Sequence, residues 1–317
     1  MEQNMQYIYQ VYRDGSFTRA AENLYLTQPA LSIAIRREEE MIGAELFDRS
    51  RRPLELTQAG EAYIRTIEHI QYLESELERE LGDLRDLRAG RLHIGGTHYL
   101  NCFLLADILA GFSKMYPGIH LEVTEDSSNR LAEALENRDL DLTFSCDSDL
   151  LNQFEHQPAF CDHILLAISK DTPLPQMLAD RALTTGDILA GRHLSAACPG
   201  IPLECFRDID FILLSPGNNL YHRSVQMFQE AGFTPKIKMN LAQLVTAFRF
   251  AEHGLGAAFI SDRLICSIPS DRMLFFPIDS HLAERLFYIL LPRRNYTAHA
   301  VKAFVDYALE QFRSQRT

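Results

Sequence analysis

No lysine occurs before Lys114, so every permanently positive side chain in the first third of the chain is arginine. A phosphate gripped there is gripped by a planar, bidentate guanidinium. Cysteines in C-x-x-C spacing are also missing: Cys102, Cys146, Cys161, Cys198, Cys205 and Cys266 are scattered. They read as reduced, small buried hydrophobes. No apolar run approaches a bilayer span, and Met1-Glu2-Gln3-Asn4-Met5 has neither a basic region nor an apolar core. A cytoplasmic chain without secretory signal or membrane contact is expected. Enzyme signatures are absent as well: GxSxG, GxxxxGK[ST], HExxH and GxGxxG do not occur, and Gly95-Gly96-Thr97 is too short for a phosphate loop. His98 and Cys102 lie four apart, but two ligands do not make a metal site. No catalytic residue, cofactor or metal is expected. Positive charge is in deficit, with a formal net charge of −12, which excludes general nucleic-acid affinity.

What is present is a punctuated pair of short helices. Ser16 can cap a helix whose apolar face is Phe17, Ala20, Ala21 and Leu24, with the two alanines allowing a close neighbour. A tight turn follows at Tyr25-Leu26. Thr27-Gln28-Pro29 then supplies a capping hydroxyl and a first-turn proline for a second helix, running to about Met41 and stopping before Gly43. Polar Gln28 and Ser32 at the exposed start of that helix match the geometry that enters a major groove. Residues 1–56 hold seven Arg against nine Asp or Glu, yet DNA affinity depends on local phosphate contacts rather than on the sum. Arg36 and Arg37 lie on the second helix, and Arg49, Arg51 and Arg52 cluster beyond it. Strongly salt-sensitive binding is expected, weak unless two such units act together.

Residues 15–63, GSFTRAAENLYLTQPALSIAIRREEEMIGAELFDRSRRPLELTQAGEAY, resemble the N-terminal domain of LysR-type transcriptional regulators. The resemblance implies helices at about 2–13, 18–25 and 29–40, the last a recognition helix. A β-wing through Leu46-Phe47-Asp48-Arg49 and Pro53-Leu54-Glu55-Leu56 would follow. It implies DNA contacts from Ser16, Thr18, Thr27, Gln28, Pro29, Ser32, Ile33, Arg36, Arg49, Arg51 and Arg52. Two departures stand out. Glu38 occupies a position usually leucine and interrupts the stripe Leu31, Ile35, Ile42, so it must reach water at the rim or pair with an arginine. Ile33 and Ala34 stand where polar, base-reading residues are common; Ile33 can touch a thymine methyl or simply pack. Direct reading then falls mainly to Gln28 and Ser32.

From Thr57, a capping residue, through Arg88 there is no proline, and Tyr63, Ile67, Ile70, Leu73, Leu77, Leu81, Leu84 and Leu87 recur at steps of three and four. So narrow a stripe on so long a helix calls for a partner, and the resemblance makes that partner a second copy. Beyond Arg91 the rhythm becomes strand–helix alternation, read as two similar parallel-sheet lobes. The expected class is therefore α+β multidomain. A winged helix-turn-helix at 1–57 leads into a linker and dimerisation helix at 58–90. A two-lobed α/β, periplasmic-binding-protein-like effector domain at 91–317 completes it, with lobe one at 91–161 and 268–317 and lobe two at 162–267. GRLHIGG, LENRDLDLTF and AEHGLGAAFISDRLI carry that part of the resemblance, while 171–210 matches poorly.

In such lobes ligands sit at strand carboxyl ends and helix amino ends. Those positions here are Thr97, His98, Tyr99, Ser145, Cys146, Pro216, Gly217, Asn218, Asn219 and Phe259. They are polar and neutral, which favours a small carboxylate effector. The whole reads as a dimeric or tetrameric regulator of an inverted-repeat operator in double-stranded DNA. Two alternatives stand beside it: a redox sensor using Cys198 and Cys205, and a cytosolic binding protein or enzyme using the same cleft.

Overall fold

Helix α1 (Gln3–Asp14) packs on α2 (Phe17–Asn23) and on α3 (Gln28–Ile42). The caps are those the sequence encodes. The Ser16 hydroxyl accepts from the Arg19 amide, Thr27 accepts from the Ala30 amide, and Gly43 ends α3 in the left-handed region. The turn between α2 and α3 puts Tyr25 at φ 55°. A two-stranded wing, β1 (Phe47–Asp48) with β2 (Glu55–Leu56), follows. It leads into α4 (Gln58–Asp83), which begins after Thr57, whose hydroxyl accepts from the Gly60 amide. The computed structural model describes residues 3–49, 54–83, 90–293 and 297–314. Ile8, Val11, Ala20, Ala21, Leu31, Ile35, Leu46, Phe47, Ile64 and Ile67 form the core of this first unit.

Glu38 differs from both expectations. It is buried, and its carboxylate accepts from the Asn4 amide at 2.9 Å and the Tyr63 hydroxyl at 2.8 Å. Among the described residues, neutral donors from α1 and α4 meet it rather than an arginine, and they hold both helices to α3. Farther along α4, Leu73 and Leu77 are exposed; Leu84 and Leu87 of the expected stripe lie outside the described residues.

The chain divides into two compact units, 1–85 and 86–317. The second opens with β3 (Gly90–Gly96) and a helical run in three pieces: α5 (His98–Leu100), a π turn at Asn101–Leu105, and α6 (Ala106–Met115). Next come β4 (Ile119–Glu125), α7 (Ser128–Glu136), β5 (Leu142–Ser145) and β6 (Glu155–Ser169). Short helices α8 (Gln176–Ala179) and α9 (Thr185–Leu189) occupy the stretch that matches poorly, before β7 (Asp210–Leu214) and α10 (Asn219–Glu230). The order continues with β8 (Lys236–Leu241), α11 (Leu244–Glu252), β9 (Ala257–Ser261), α12 (Asp262–Ser267) and β10 (Met273–Pro277). It closes with β11 (Glu284–Leu291) and α13 (His299–Ser314), which buries Val301, Phe304, Val305, Ala308 and Phe312.

Among the described residues the strand order is β4-β3-β5-β11-β6-β9-β7-β8, with β10 also on β6. The lobes are not separate parallel sheets. Strand β6 runs through both: residues 155–163 pair antiparallel with β11, and 164–169 with β9 and β10. Because Met273–Pro277 pairs with Leu165–Ser169, the chain is still in the second lobe beyond 268 and returns to the first at Glu284. Sequence alternation alone did not reveal this. A strand buried on both faces reads as an apolar run whose partner is unspecified.

Candidate functional site

On the first unit, α3 presents Pro29, Ile33 and Arg36 outward at spacings i, i+4, i+7, with Gln28 exposed at its start and Ile33 53% exposed. Ile33 therefore does not pack into the domain. Thr18 on α2 is exposed as well. Ser16 and Thr27 spend their hydroxyls on caps, and Ser32 accepts from Arg49 Nη1 at 3.5 Å. Arg49, expected to grip phosphate, is engaged within the domain. Its guanidinium sits 2.8 Å from Glu39 and 5.0 Å from the Phe17 ring. Glu39 also accepts from the Leu46 amide, so one buried carboxylate fixes both the entry to the wing and Arg49. Arg51 and Arg52 lie outside the described residues.

In the second unit, a cleft is lined by Thr97, His98, Tyr99, Ser145, Cys146, Asn218 and Asn219, among others. Pro216 and Gly217 border its outer part. Helix amino ends converge on it: the run starting at His98, α7 at Ser128, α10 at Asn219 and α11 at Leu244. Thr97 and Ser127 do not cap their own helices. Phe259, expected here, is not in the cleft. It is 3% exposed in the core, with Phe211 and Phe228 rings 6.2 and 5.6 Å away. Every residue of β9 is buried, so position at a strand end does not fix the direction in which a side chain points.

The expectation of a neutral lining also needs correction. Arg285 lines the cleft, 5% exposed, with Nε 2.8 Å from Oδ1 of the fully buried Asp162 and a second bond from Nη2 to Oδ2. Burial alone would lower the Arg285 pKa, but the facing Asp162 outweighs it and raises it. The Tyr99 hydroxyl joins this network, 3.2 Å from Asp162 and 2.8 Å from Ser261 Oγ, and burial first, then Asp162, pushes its pKa well up. Arg223 donates to Asn219 Oδ1 and to the carbonyls of Leu282, Glu284 and Cys146. Among the described residues it makes no ion pair. The Cys146 thiol, raised in pKa by burial, donates to Asn219 Oδ1 at 3.2 Å. At the rim, His98 Nδ1 lies 3.2 Å from Glu125. Cys198 is half-buried and Cys205 exposed, both as free thiols.

Residues 3–61 match the model described as "Bacterial regulatory helix-turn-helix protein, lysR family", and residues 85–313 match "LysR substrate binding domain". The chain belongs to the LysR family. It is a DNA-binding transcriptional regulator with an effector-binding domain. It is 25% identical over 310 residues to the HTH-type transcriptional regulator YybE of Bacillus subtilis, covering 98% of each chain. A protein named Probable RuBisCO transcriptional regulator from Cyanidioschyzon merolae is 27% identical over 264 residues, covering 81% of this chain and 79% of its own. Among solved LysR-family structures, full-length CbnR with its target DNA aligns at TM-score 0.65 and 18% identity, covering 98% of this chain and all of that one. Full-length BenM aligns at TM-score 0.57 and 21% identity, over 99% and 98%. No helix among the described residues is long and apolar enough to cross a membrane.

Proposed function

We propose that this LysR regulator binds an inverted-repeat operator as paired copies and is controlled by a small carboxylate in the cleft of its second unit. The observation that carries the effector class is the convergence of four helix amino ends on one cavity. Free backbone N–H groups and aligned peptide dipoles favour an anion there. Thr97 and Ser128 would donate hydroxyls, and Arg285, its charge balanced by Asp162, would offer its remaining N–H groups. Occupancy acts only through a difference in affinity between lobe arrangements, which in turn changes the spacing or bend of bound DNA. The division of the chain at 1–57, 58–90 and 91–317 into reader, pairing helix and effector domain belongs to the same proposal.

A thermal-unfolding screen against small carboxylates tests the effector class. A ligand at 100 times its Kd stabilises by roughly 2.7 kcal/mol, and the shift is expected to vanish in Thr97→Val. A panel in which only neutral or cationic compounds raise the midpoint would sink the carboxylate assignment.

The reading face carries a second expectation. Gln28→Ala relaxes base preference by about 1–3 kcal/mol per lost contact. Arg36→Ala weakens all sequences alike and flattens the salt slope by about 1. Titrations of operator and scrambled duplexes at several salt concentrations separate the two; identical behaviour would refute this division of roles.

A further inference from the structure

Away from the cleft floor, three segments bring one carboxylate and two imidazoles together. His163 lies on β6, where its pairing passes from β11 to β9. His193 sits in the 3-10 turn Arg192–Leu194, and Asp262 opens α12. His163 Nδ1 and His193 Nε2 each lie 3.1 Å from the same oxygen, Asp262 Oδ2, and all three ligand atoms fall within 4.8 Å of one another. We infer that His163, His193 and Asp262 form a site for a divalent first-row transition-metal ion.

Four observations support the assignment. An ion about 2.1 Å from each donor needs donors roughly 3.0–3.4 Å apart; both spacings to Asp262 Oδ2 are 3.1 Å, and the two imidazole nitrogens lie within 4.8 Å of each other. Two imidazoles and a carboxylate suit zinc and its neighbours and do not suit magnesium or calcium. The second oxygen of Asp262 is fixed by the amides of His163 at 3.1 Å and Arg263 at 2.8 Å, the outer support that orients a ligating carboxylate. The Arg263 guanidinium turns elsewhere, toward the Cys161 carbonyl and the Phe160 ring. On one side the group is open, because the His163 side chain is 32% exposed, which leaves room for water as a further ligand.

The His193 side chain is 4% exposed, and among the described residues its Nδ1 has no hydrogen-bond partner. Metal ligation through Nε2 moves the ring proton to this buried Nδ1, an unmet donor that lowers affinity by ~10- to 100-fold. The site is one residue from the cleft network on two strands, since Asp162 precedes His163 and Ser261 precedes Asp262. A bound ion would therefore tie β6 to α12 next to residues of that network.

The test uses the full-length, chelator-stripped protein titrated with Zn²⁺ by calorimetry and with Co²⁺ by visible absorption. One ion per chain is expected, with zinc shifting the imidazole NMR signals of both His163 and His193. His163→Ala, a half-exposed change whose folding circular dichroism can verify, is expected to weaken uptake ~10-fold or more. Cys102→Ser is expected to leave uptake unchanged. No uptake by the wild type would overturn the site. Full affinity in His163→Ala, or a loss confined to Cys102→Ser, would place the ion elsewhere and overturn it equally.

Discussion

Arg285→Ala is expected to cost the second unit about 3–5 kcal/mol, because it strands a buried carboxylate. Asp162 is fully buried, and of its side-chain partners among the described residues only the Tyr99 hydroxyl at 3.2 Å would remain. The penalty comes from the orphaned charge rather than from any large net gain of the pair. Replacing both partners, Arg285→Met with Asp162→Leu, is therefore expected to recover most of the loss. Urea unfolding of the three proteins separates these cases. A double variant as unstable as the single one would show that shape, and not charge, sets the cost. Because Arg285 also lines the cleft, the refolded double variant is expected to lose the carboxylate response while keeping DNA binding.

Gly60→Ala is the second large effect, and it falls on the other unit. In an exposed helix alanine is favoured over glycine by about 1 kcal/mol. At Gly60 a β-carbon would lie 2.0 Å from the Leu46 carbonyl oxygen. That contact cannot relax by a side-chain rotation, since Leu46 O also accepts from the Thr57 amide and Thr57 Oγ1 donates to Glu45 O. Steric overlap wins, and the reader unit is expected to lose about 3 kcal/mol or more, with DNA binding lost and effector binding retained. Differential scanning calorimetry with an operator titration measures both. Gly186, whose added β-carbon would meet nothing nearer than 3.7 Å, is the control: Gly186→Ala is expected to be neutral or slightly stabilising. Comparable losses at the two glycines would refute the steric account.

What the sequence made legible was local. Ser16, Thr27, Thr57 and Gly43 act within three or four residues of themselves, so the helix-turn-helix could be read from their order. Glu38 could not, because its donors come from residues 34 earlier and 25 later. The cleft was legible as strand ends and helix starts, yet its charge was not. Arg285 and Asp162 are 123 residues apart and sit in runs that resemble ordinary strands. Phe259 was misplaced for the complementary reason: five consecutive buried residues leave no alternation to tell an inward face from an outward one. His163, His193 and Asp262 carry no spacing signal, since three separate segments supply them.

Strand β6 has a consequence for how such regulators can be recombined. A graft that exchanged one lobe for a relative's would have to sever the strand between His163 and Ile164. A one-residue register error at that splice would turn the side chains of either half to the wrong face. Ligand preference in this chain is therefore inherited as one indivisible cassette, and the workable splice falls ahead of residue 86, where the two units part.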